Sequence, residues 1–115
     1  MQYLLMIHDD EAAAQKATKS QIESFMAAYE AYTSAMVEAG ILRSGERLRP
    51  SNTGTTIRAP NGKAQVANGP YADVKEQFGG FYVIEVSDLD EAIKWAARCP
   101  SALFGAVEVR PIWPR

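Results

Sequence analysis

One short run, FYVIEV at residues 81–86, constrains the fold more than any other part of the chain because it is apolar on both faces of a strand. Successive side chains of a strand point to opposite sides of the sheet. One side carries Tyr82, Ile84 and Val86. The other side carries Phe81, Val83 and Glu85. A sheet with one solvated face alternates apolar and polar residues more cleanly. We therefore expect both faces of this strand to be covered.

Two segments before this run predict a strand and a long helix. Residues 2–8, QYLLMIH, are apolar on both faces and predict a central strand. Residues 20–39 carry apolar side chains at helical spacing, and Ser20 with Glu23 matches a capping box. Gly40 follows, where a helix C-terminus favours a left-handed residue. The apolar stripe of this helix is more simply a core face than a cofactor-binding surface.

The next segments predict a strand and a hairpin. Residues 41–48, ILRSGERL, predict a strand broken by Gly45. Residues 55–67 predict a hairpin, in which Asn61 and Gly62 suit a type I′ turn.

Three further elements follow the hairpin. Residues 80–86 predict a strand, and Asp88 predicts the N-cap of a second helix that Pro100 stops. Residues 104–112 predict the last strand, in which Pro111 favours an edge position.

The order strand, helix, strand, hairpin, strand, helix, strand corresponds to two split βαβ-like halves. It predicts a single α+β domain over residues 1–115, a ferredoxin-like sandwich with an antiparallel sheet and two helices on one face. The two helices cover only that face. We expect the other face to pack on a second copy of the chain in a two-fold homodimer. The open alternative is that loop or tail segments cover it.

The charge and the cysteine count exclude several classes of protein. The formal net charge is -2 at pH 7 and both signs are interspersed, so no basic stripe is offered to a nucleic acid. The apolar run after Met1 is far too short for a signal peptide or a membrane span, and we expect a cytoplasmic protein. With one histidine and the single Cys99, soft metal ligands are scarce, and we expect no metal and no cofactor.

Several stretches resemble one family in order and spacing. They are YLLMIHDDE at the start, GERLRP at residues 45–50, NGPYADVKEQFGGFYVIEV at 68–86, and DLDEAIKWAARCP with GAVEVRPI near the end. Over nearly the whole chain they resemble the DGPF-type proteins of the YCII-related family. The resemblance implies a dimeric αβ-barrel, in which two ferredoxin-like units place their sheets face to face. Most members of that family have no assigned reaction.

Two departures from the family pattern affect the candidate chemistry. Where the family motif begins with aspartate and ends with phenylalanine, this chain has Asn68 and Tyr71. Asparagine accepts the same turn hydrogen bond as aspartate but cannot act as a base. A His-Asp pair is proposed as an active site in wider relatives, with the histidine on the first helix. Residues 20–39 contain no histidine, so that pair is not carried over.

If the protein is an enzyme, His8 is the expected proton carrier. Histidine is the side chain type that ordinarily titrates near neutral pH, and His8 ends the first strand. Asp73 or Glu76 is the expected orienting carboxylate. The first strand should run antiparallel to the strand at 81–86, which places His8 close to Phe78, Gly79 and Gly80 and brings residues 73–76 within reach of its side chain. The alternative is a strand-end histidine without a chemical role.

The charged cluster Asp73, Lys75 and Glu76 has two interpretations. Lys75 could bind an anionic ligand at the mouth of a pocket. Alternatively, the cluster is one turn of charged helix, and Gly79 and Gly80 let the chain turn tightly into the next strand.

Three charged residues on apolar strands are candidate ligand-binding residues. Glu85, Glu108 and Arg110 are expected on the side of the sheet that faces the second copy. Charges are tolerated there only if they are paired or line a wet cavity. An ion pair that fixes the dimer and a ligand site remain equal alternatives.

Two functions are consistent with these residues. The leading hypothesis is a small cytoplasmic homodimer that acts on a small organic molecule by proton transfer without a cofactor. The alternative is a non-catalytic ligand-binding or accessory module. A ligand or an enclosed pocket near His8 would favour the first hypothesis.

Overall fold

Four strands form one antiparallel sheet and two more form a separate hairpin. The computed structural model describes every residue from Met1 to Arg115. The strands are β1 (Gln2–Asp9), β2 (Leu42–Arg47), β3 (Thr55–Arg58), β4 (Gln65–Asn68), β5 (Gln77–Glu85) and β6 (Ala106–Pro111). The helices are α1 (Glu11–Gln15), α2 (Lys19–Glu38) and α3 (Leu89–Ala97).

The order of the main sheet is β2-β5-β1-β6, and each pairing is antiparallel. The two strands that are apolar on both faces, β1 and β5, are central. Strand β6, which contains Pro111, lies at an edge, where proline's missing N–H interrupts no hydrogen bonds to a further strand. This is the ferredoxin-like α+β sandwich expected from the sequence. The β3–β4 hairpin is inserted between β2 and β5.

The core lies between one face of the sheet and the helices α2 and α3. The sheet contributes Tyr3, Leu5, Ile7, Ile84 and Val86 to it. The helices contribute Tyr32, Met36, Ala92 and Ala96. The strand residues alternate along β1 and β5, and the helical ones recur every three or four positions, so each element buries one side. Full burial of a side chain such as Leu5 or Met36 contributes about 1.5 to 3 kcal/mol.

The ends of α2 are fixed by two local motifs. The predicted helix is confirmed, but its capping box is formed by Thr18 and Gln21, not by Ser20 and Glu23. At the other end Gly40 has φ 71°, as expected for a left-handed residue after a helix. Neither α2 nor a shorter helix combines the length and the apolarity that a membrane crossing requires.

Strand β2 runs through Gly45 without a break, so the predicted interruption is wrong. Gly45 pairs with Tyr82, and a Cβ at this position would lie 2.6 Å from the Tyr82 ring. The glycine therefore gives the tyrosine ring room to lie across β2. The register shift of this pairing occurs earlier, between Leu42 and Ser44.

The predicted hairpin is confirmed, with a longer connection than a two-residue turn. Asn61 and Gly62 both have positive φ, and the Lys63 N–H donates to the carbonyl of Pro60, as in a type I′ turn. The last paired residues are Arg58 and Gln65, so the strands separate before the turn is reached.

The sheet has one face that neither helix covers, and we call it the open face. Cross-strand pairing puts the alternate residues of β1, β5 and β6 on it. Its centre is apolar and only partly buried: Leu4, Met6, Phe81 and Val83. Both faces of the central strands are therefore apolar, as the sequence indicated, and one of them has no partner within the chain.

Candidate functional site

A β-bulge places His8 beside Phe78 at one end of the open face. Ile7 pairs with Gly80 and His8 pairs with Phe78, so Gly79 is the extra residue of the bulge. Without the extra residue Phe78 would point to the helix side of the sheet, because side chains alternate along a strand. The bulge turns the phenylalanine to the open face, where its ring centroid lies 5.7 Å from that of His8.

This geometry confirms the expected proximity of His8 to Phe78 and corrects the account of the two glycines. Gly79 and Gly80 belong to β5 and neither has a positive φ, so they do not form a turn into the strand. Gly80 is instead required by close approach, since a Cβ there would lie 2.9 Å from the carbonyl oxygen of Glu46. Gly79 forms the bulge. The glycine pair preceding an apolar strand was the sequence signal for this feature.

The imidazole of His8 has no hydrogen bond and no ion pair within the chain. Its side chain is partly buried, and the ring of Phe78 packs beside it at an interplanar angle of 47°. Its backbone is held on both sides, by Phe78 of β5 and Ala106 of β6. Both ring nitrogens are thus free for a ligand, while the main chain that carries them is fixed.

Glu108 and Arg110 form an ion pair near His8 on the open face. Arg110 Nε donates to Glu108 Oε2 over 2.7 Å. Glu108 pairs with Met6, and His8 pairs with Ala106. The two pairs are two residues apart along β1 and lie on the same face. His8 and Glu108 are therefore diagonal neighbours, for which separations of about 7 to 8 Å are typical.

Glu85 lies away from this group. It pairs with Gln2, six residues from His8 along β1, which corresponds to about 20 Å at the usual rise of an antiparallel strand. Its Oε2 lies 2.7 Å from the amino nitrogen of Met1, so the two groups form an ion pair. This buried oxygen accepts no hydrogen bond of good geometry. The amino group donates to the carbonyl of Val86 instead. Glu85 thus belongs to the start of β1 and not to the surroundings of His8.

The charged cluster before β5 is irregular chain. Residues 73–76 form no helix, so the interpretation as a helical turn is wrong. Asp73 and Lys75 are exposed and Glu76 is partly buried. No hydrogen bond or ion pair joins these three side chains to His8. The chain enters β5 directly after Glu76, at Gln77, which pairs with Asp9.

Sequence reasoning missed the role of Glu11, which ties the hairpin to the end of β1. Its carboxylate accepts hydrogen bonds from the Ser51 N–H at 2.8 Å and from the Ser51 hydroxyl at 2.7 Å. Its own N–H donates to the side chain of Gln77. The short helix α1, capped by Asp10, holds Glu11 in place. Glu11 directly follows Asp9 and Asp10, and nothing in the sequence distinguished it from these two acidic residues.

A buried hydrogen-bonded cluster lies behind β1, on the helix side. The Tyr29 hydroxyl contacts the hydroxyl of Ser101 and lies 3.2 Å from Cys99 Sγ. Burial is the main cause that raises the pKa of Tyr29 and of Cys99 above their ordinary values. A thiol with a raised pKa is a poor nucleophile. We therefore assign this cluster to packing, as the helical stripe indicated for Tyr29.

His8 lines neither of two grooves on the surface of a single copy. One, of about 280 Å³, lies on the helix side between α3 and β6 and is lined only by apolar residues. The other, of about 320 Å³, lies at the start of β1 beside Glu85 and Trp113. A second surface packed on the open face would enclose a ligand bound there.

The sheet order, with α2 and α3 on one face, defines a ferredoxin-like α+β sandwich. The chain belongs to the YCII-related family, whose domain model matches residues 1–115. This confirms the resemblance stated above. A relative from Rhizobium meliloti (strain 1021), an uncharacterised protein, is 36% identical over 114 residues, covering 97% of this chain and 92% of that protein.

A solved structure shares the fold at lower identity. It is the 5-chloro-2-hydroxyhydroquinone dehydrochlorinase of Burkholderia phenoliruptrix AC1100 in complex with 2,5-dihydroxybenzoquinone. The TM-score is 0.53 at 21% identity, with 98% of this chain and 94% of that chain covered. This likeness extends to the fold alone.

Proposed function

We propose that two copies of this chain pair through their open faces and enclose a site in which a small organic molecule undergoes proton transfer at His8 without a cofactor. The observation that carries the proposal is the Gly79 bulge. It places an aromatic ring against an imidazole that has no other partner, at the edge of an unpaired apolar surface. β-Bulges are over-represented beside active sites, where they redirect a side chain.

The groups around His8 have complementary roles in this proposal. The neutral imidazole accepts a proton from an acidic C–H or O–H of the ligand and later returns it. Phe78 and Phe81 form an apolar wall for a planar molecule, and Arg110, held by Glu108, attracts an anionic oxygen. Asp73 or Glu76 orients the imidazole, and Lys75 adds positive charge, when the segment 73–76 closes over a bound ligand.

The structural neighbour supports a small, planar, oxygenated ligand. Its structure holds 2,5-dihydroxybenzoquinone, a molecule with acidic hydroxyl groups and a ring that stacks on aromatic side chains. The same size and chemistry would fit between Phe78, Phe81 and Arg110. We propose the cytoplasm as the place of action, in keeping with the single, buried and unpaired Cys99.

The experiment uses 2,5-dihydroxybenzoquinone as the probe. We expect saturable binding that shifts the NMR signals of the His8 ring, with the His8→Gln variant binding at least tenfold more weakly. In deuterated water the wild type should accelerate exchange of the ring hydrogens of the probe, and His8→Gln should not. Lys94→Gln, an exposed change on α3, is the control and should match the wild type. Binding that is unaffected by His8→Gln, or no binding, would contradict the site.

The second candidate function is a non-catalytic ligand-binding or accessory module in which Glu85, Glu108 and Arg110 have only a structural role. The intrachain pairs of Glu85 with the amino terminus and of Glu108 with Arg110 favour it, because they already neutralise these charges. Binding of the probe without catalysed exchange of its hydrogens would select this alternative.

A further inference from the structure

The segment between β2 and β5 projects from the body of the protein, and we call residues 48–72 the arm. The Cα radius of gyration is 16.0 Å, whereas a compact domain of this length has about 13 Å. The molecule is a plate of 46 × 43 × 18 Å, so the arm extends within the plane of the plate and does not rise above it. It therefore prolongs the broad surfaces, including the open face.

The arm is held at its base and free beyond it. At the base Ser51 is bound by Glu11, and the N–H of Leu48 donates to the carbonyl of Gly79. Beyond this point the hydrogen bonds of the arm stay within it, as between the Gly69 N–H and the Gly54 carbonyl. An isolated two-stranded hairpin is marginally stable in water at best. A fixed base and an unsupported tip are typical of a segment that packs on something else.

Two of the exposed apolar residues of the arm lie together on one face of the hairpin. Ile57 and Val66 are directly paired across β3 and β4, so they share one face, and they are 54% and 66% exposed. Tyr71 is 78% exposed and stacks under Arg58. A cross-strand apolar pair of this kind stabilises a hairpin mainly when another surface covers it.

The charges of the arm are complementary to those of the rest of the chain. The arm contains Arg49, Arg58 and Lys63 and no acidic residue. All 14 acidic residues of the protein lie outside the arm, where they outnumber the basic ones. A second copy of the same chain therefore offers the arm a surface of opposite charge, whereas two arms would repel each other.

We propose that the arm of each copy packs on the body of the second copy at the rim of the open face, with Ile57 and Val66 as its apolar contacts. This inference rests on the proposed pairing of open faces and adds a second, reciprocal contact to it. Lys63, at the tip of the arm, faces a carboxylate of the second copy, whereas Arg58 points to the other face of the hairpin and stays on Tyr71. The bonds of Glu11 to Ser51 set the direction in which the arm leaves its own copy.

The test is photo-crosslinking from the arm. A benzophenone amino acid replaces Val66, and in the control it replaces Val37 of α2, which is similarly exposed at 61%. Equal amounts of 14N- and 15N-labelled protein are mixed, so that crosslinks between copies are recognised by mass. We expect position 66 to crosslink to peptides outside residues 48–72 of the other copy at least fivefold more than position 37 does.

The oligomeric state in solution distinguishes a failure of the arm proposal from a failure of the open-face dimer. A dimer whose position 66 crosslinks only within its own chain, or to no peptide, overturns the arm proposal and leaves the open-face dimer intact. A monomer in sedimentation equilibrium overturns both. Crosslinking to a nucleic acid would also overturn the proposal. As a second variant, Ile57→Ser with Val66→Ser should weaken the dimer about tenfold, a typical effect of losing an apolar contact at an interface, and unchanged dimerisation would count against the arm contact.

Discussion

Replacement of Gly105 by alanine should destabilise the protein and disturb the candidate site at the same time. Gly105 precedes β6, and a Cβ on it would lie 2.0 Å from the carbonyl oxygen of His8 and 3.3 Å from the Cα of Asp9. Both neighbours are backbone atoms, which cannot rotate away as a side chain can. The two segments must separate by about 1.4 Å to reach an ordinary contact of 3.4 Å, and overpacking of this kind typically costs about 1 to 3 kcal/mol.

The matched control is Gly79→Ala in the neighbouring strand. A Cβ on Gly79 would meet only Asp9 Oδ2 at 3.9 Å, and the residue has no positive φ. This change should stay within about 1 kcal/mol of the wild type.

Thermal and urea denaturation, followed by the fluorescence of the half-buried Trp95, measure both variants. For a domain of this size 1 kcal/mol corresponds to roughly 4 °C in Tm. We therefore expect Gly105→Ala to lower Tm by about 4 to 12 °C and to shift the NMR signals of the His8 ring. If both glycine variants unfold at the same urea concentration as the wild type, the close packing of β6 against β1 at His8 is refuted.

Two further predictions concern the buried cluster. Tyr29→Phe leaves the fully buried Ser101 hydroxyl without its partner and should cost about 1 to 3 kcal/mol. Tyr3→Phe, which loses only a 3.9 Å contact with Met1 Sδ, is the control. Because burial raises the pKa of Tyr29, Tyr32, Tyr82 and Cys99 in the folded state, the unfolded chain releases these protons first. Stability should be complete below the ordinary pKa values of 9.0 and 10.0 and fall as the pH rises above them; a constant urea midpoint from pH 7 to 11 would contradict this.

The sequence predicted the sheet and its order well, since each main element has a strong periodic pattern. The two-faced apolar strands β1 and β5 and the stripe of α2 specify which elements are central and which side faces the helices. The antiparallel pairing of β1 with β5 predicted that His8 lies near the start of β5, and the bulge at Gly79 then turns Phe78 to the face of His8. Local details were harder, because Thr18 with Gln21 and Ser20 with Glu23 match the same capping pattern.

The surroundings of His8 depend on long-range geometry that local patterns do not encode. The bulge at Gly79 depends on the register between β1 and β5, and the bond between Glu11 and Ser51 joins segments far apart in the chain. Glu85 and Arg110 were grouped by their common face. Residues on one face can still lie far apart along the strands. The pairing of Glu85 with Gln2 places Glu85 at the end of the sheet opposite to His8. Periodicity predicts the side of a sheet, whereas register decides the position along it.

The most direct test of the account is sedimentation equilibrium of the wild type and of Val83→Asp, a change at the centre of the open face. We expect the wild type to be a dimer at low micromolar concentration and Val83→Asp to be a folded monomer, because an unpaired carboxylate would be buried between the sheets. Ile22→Asp is the control, since Ile22 is 45% exposed in the first turn of α2, where a carboxylate is tolerated. A wild type that stays monomeric at high micromolar concentration, or a Val83→Asp variant that dimerises as tightly as the wild type, would contradict pairing through the open face.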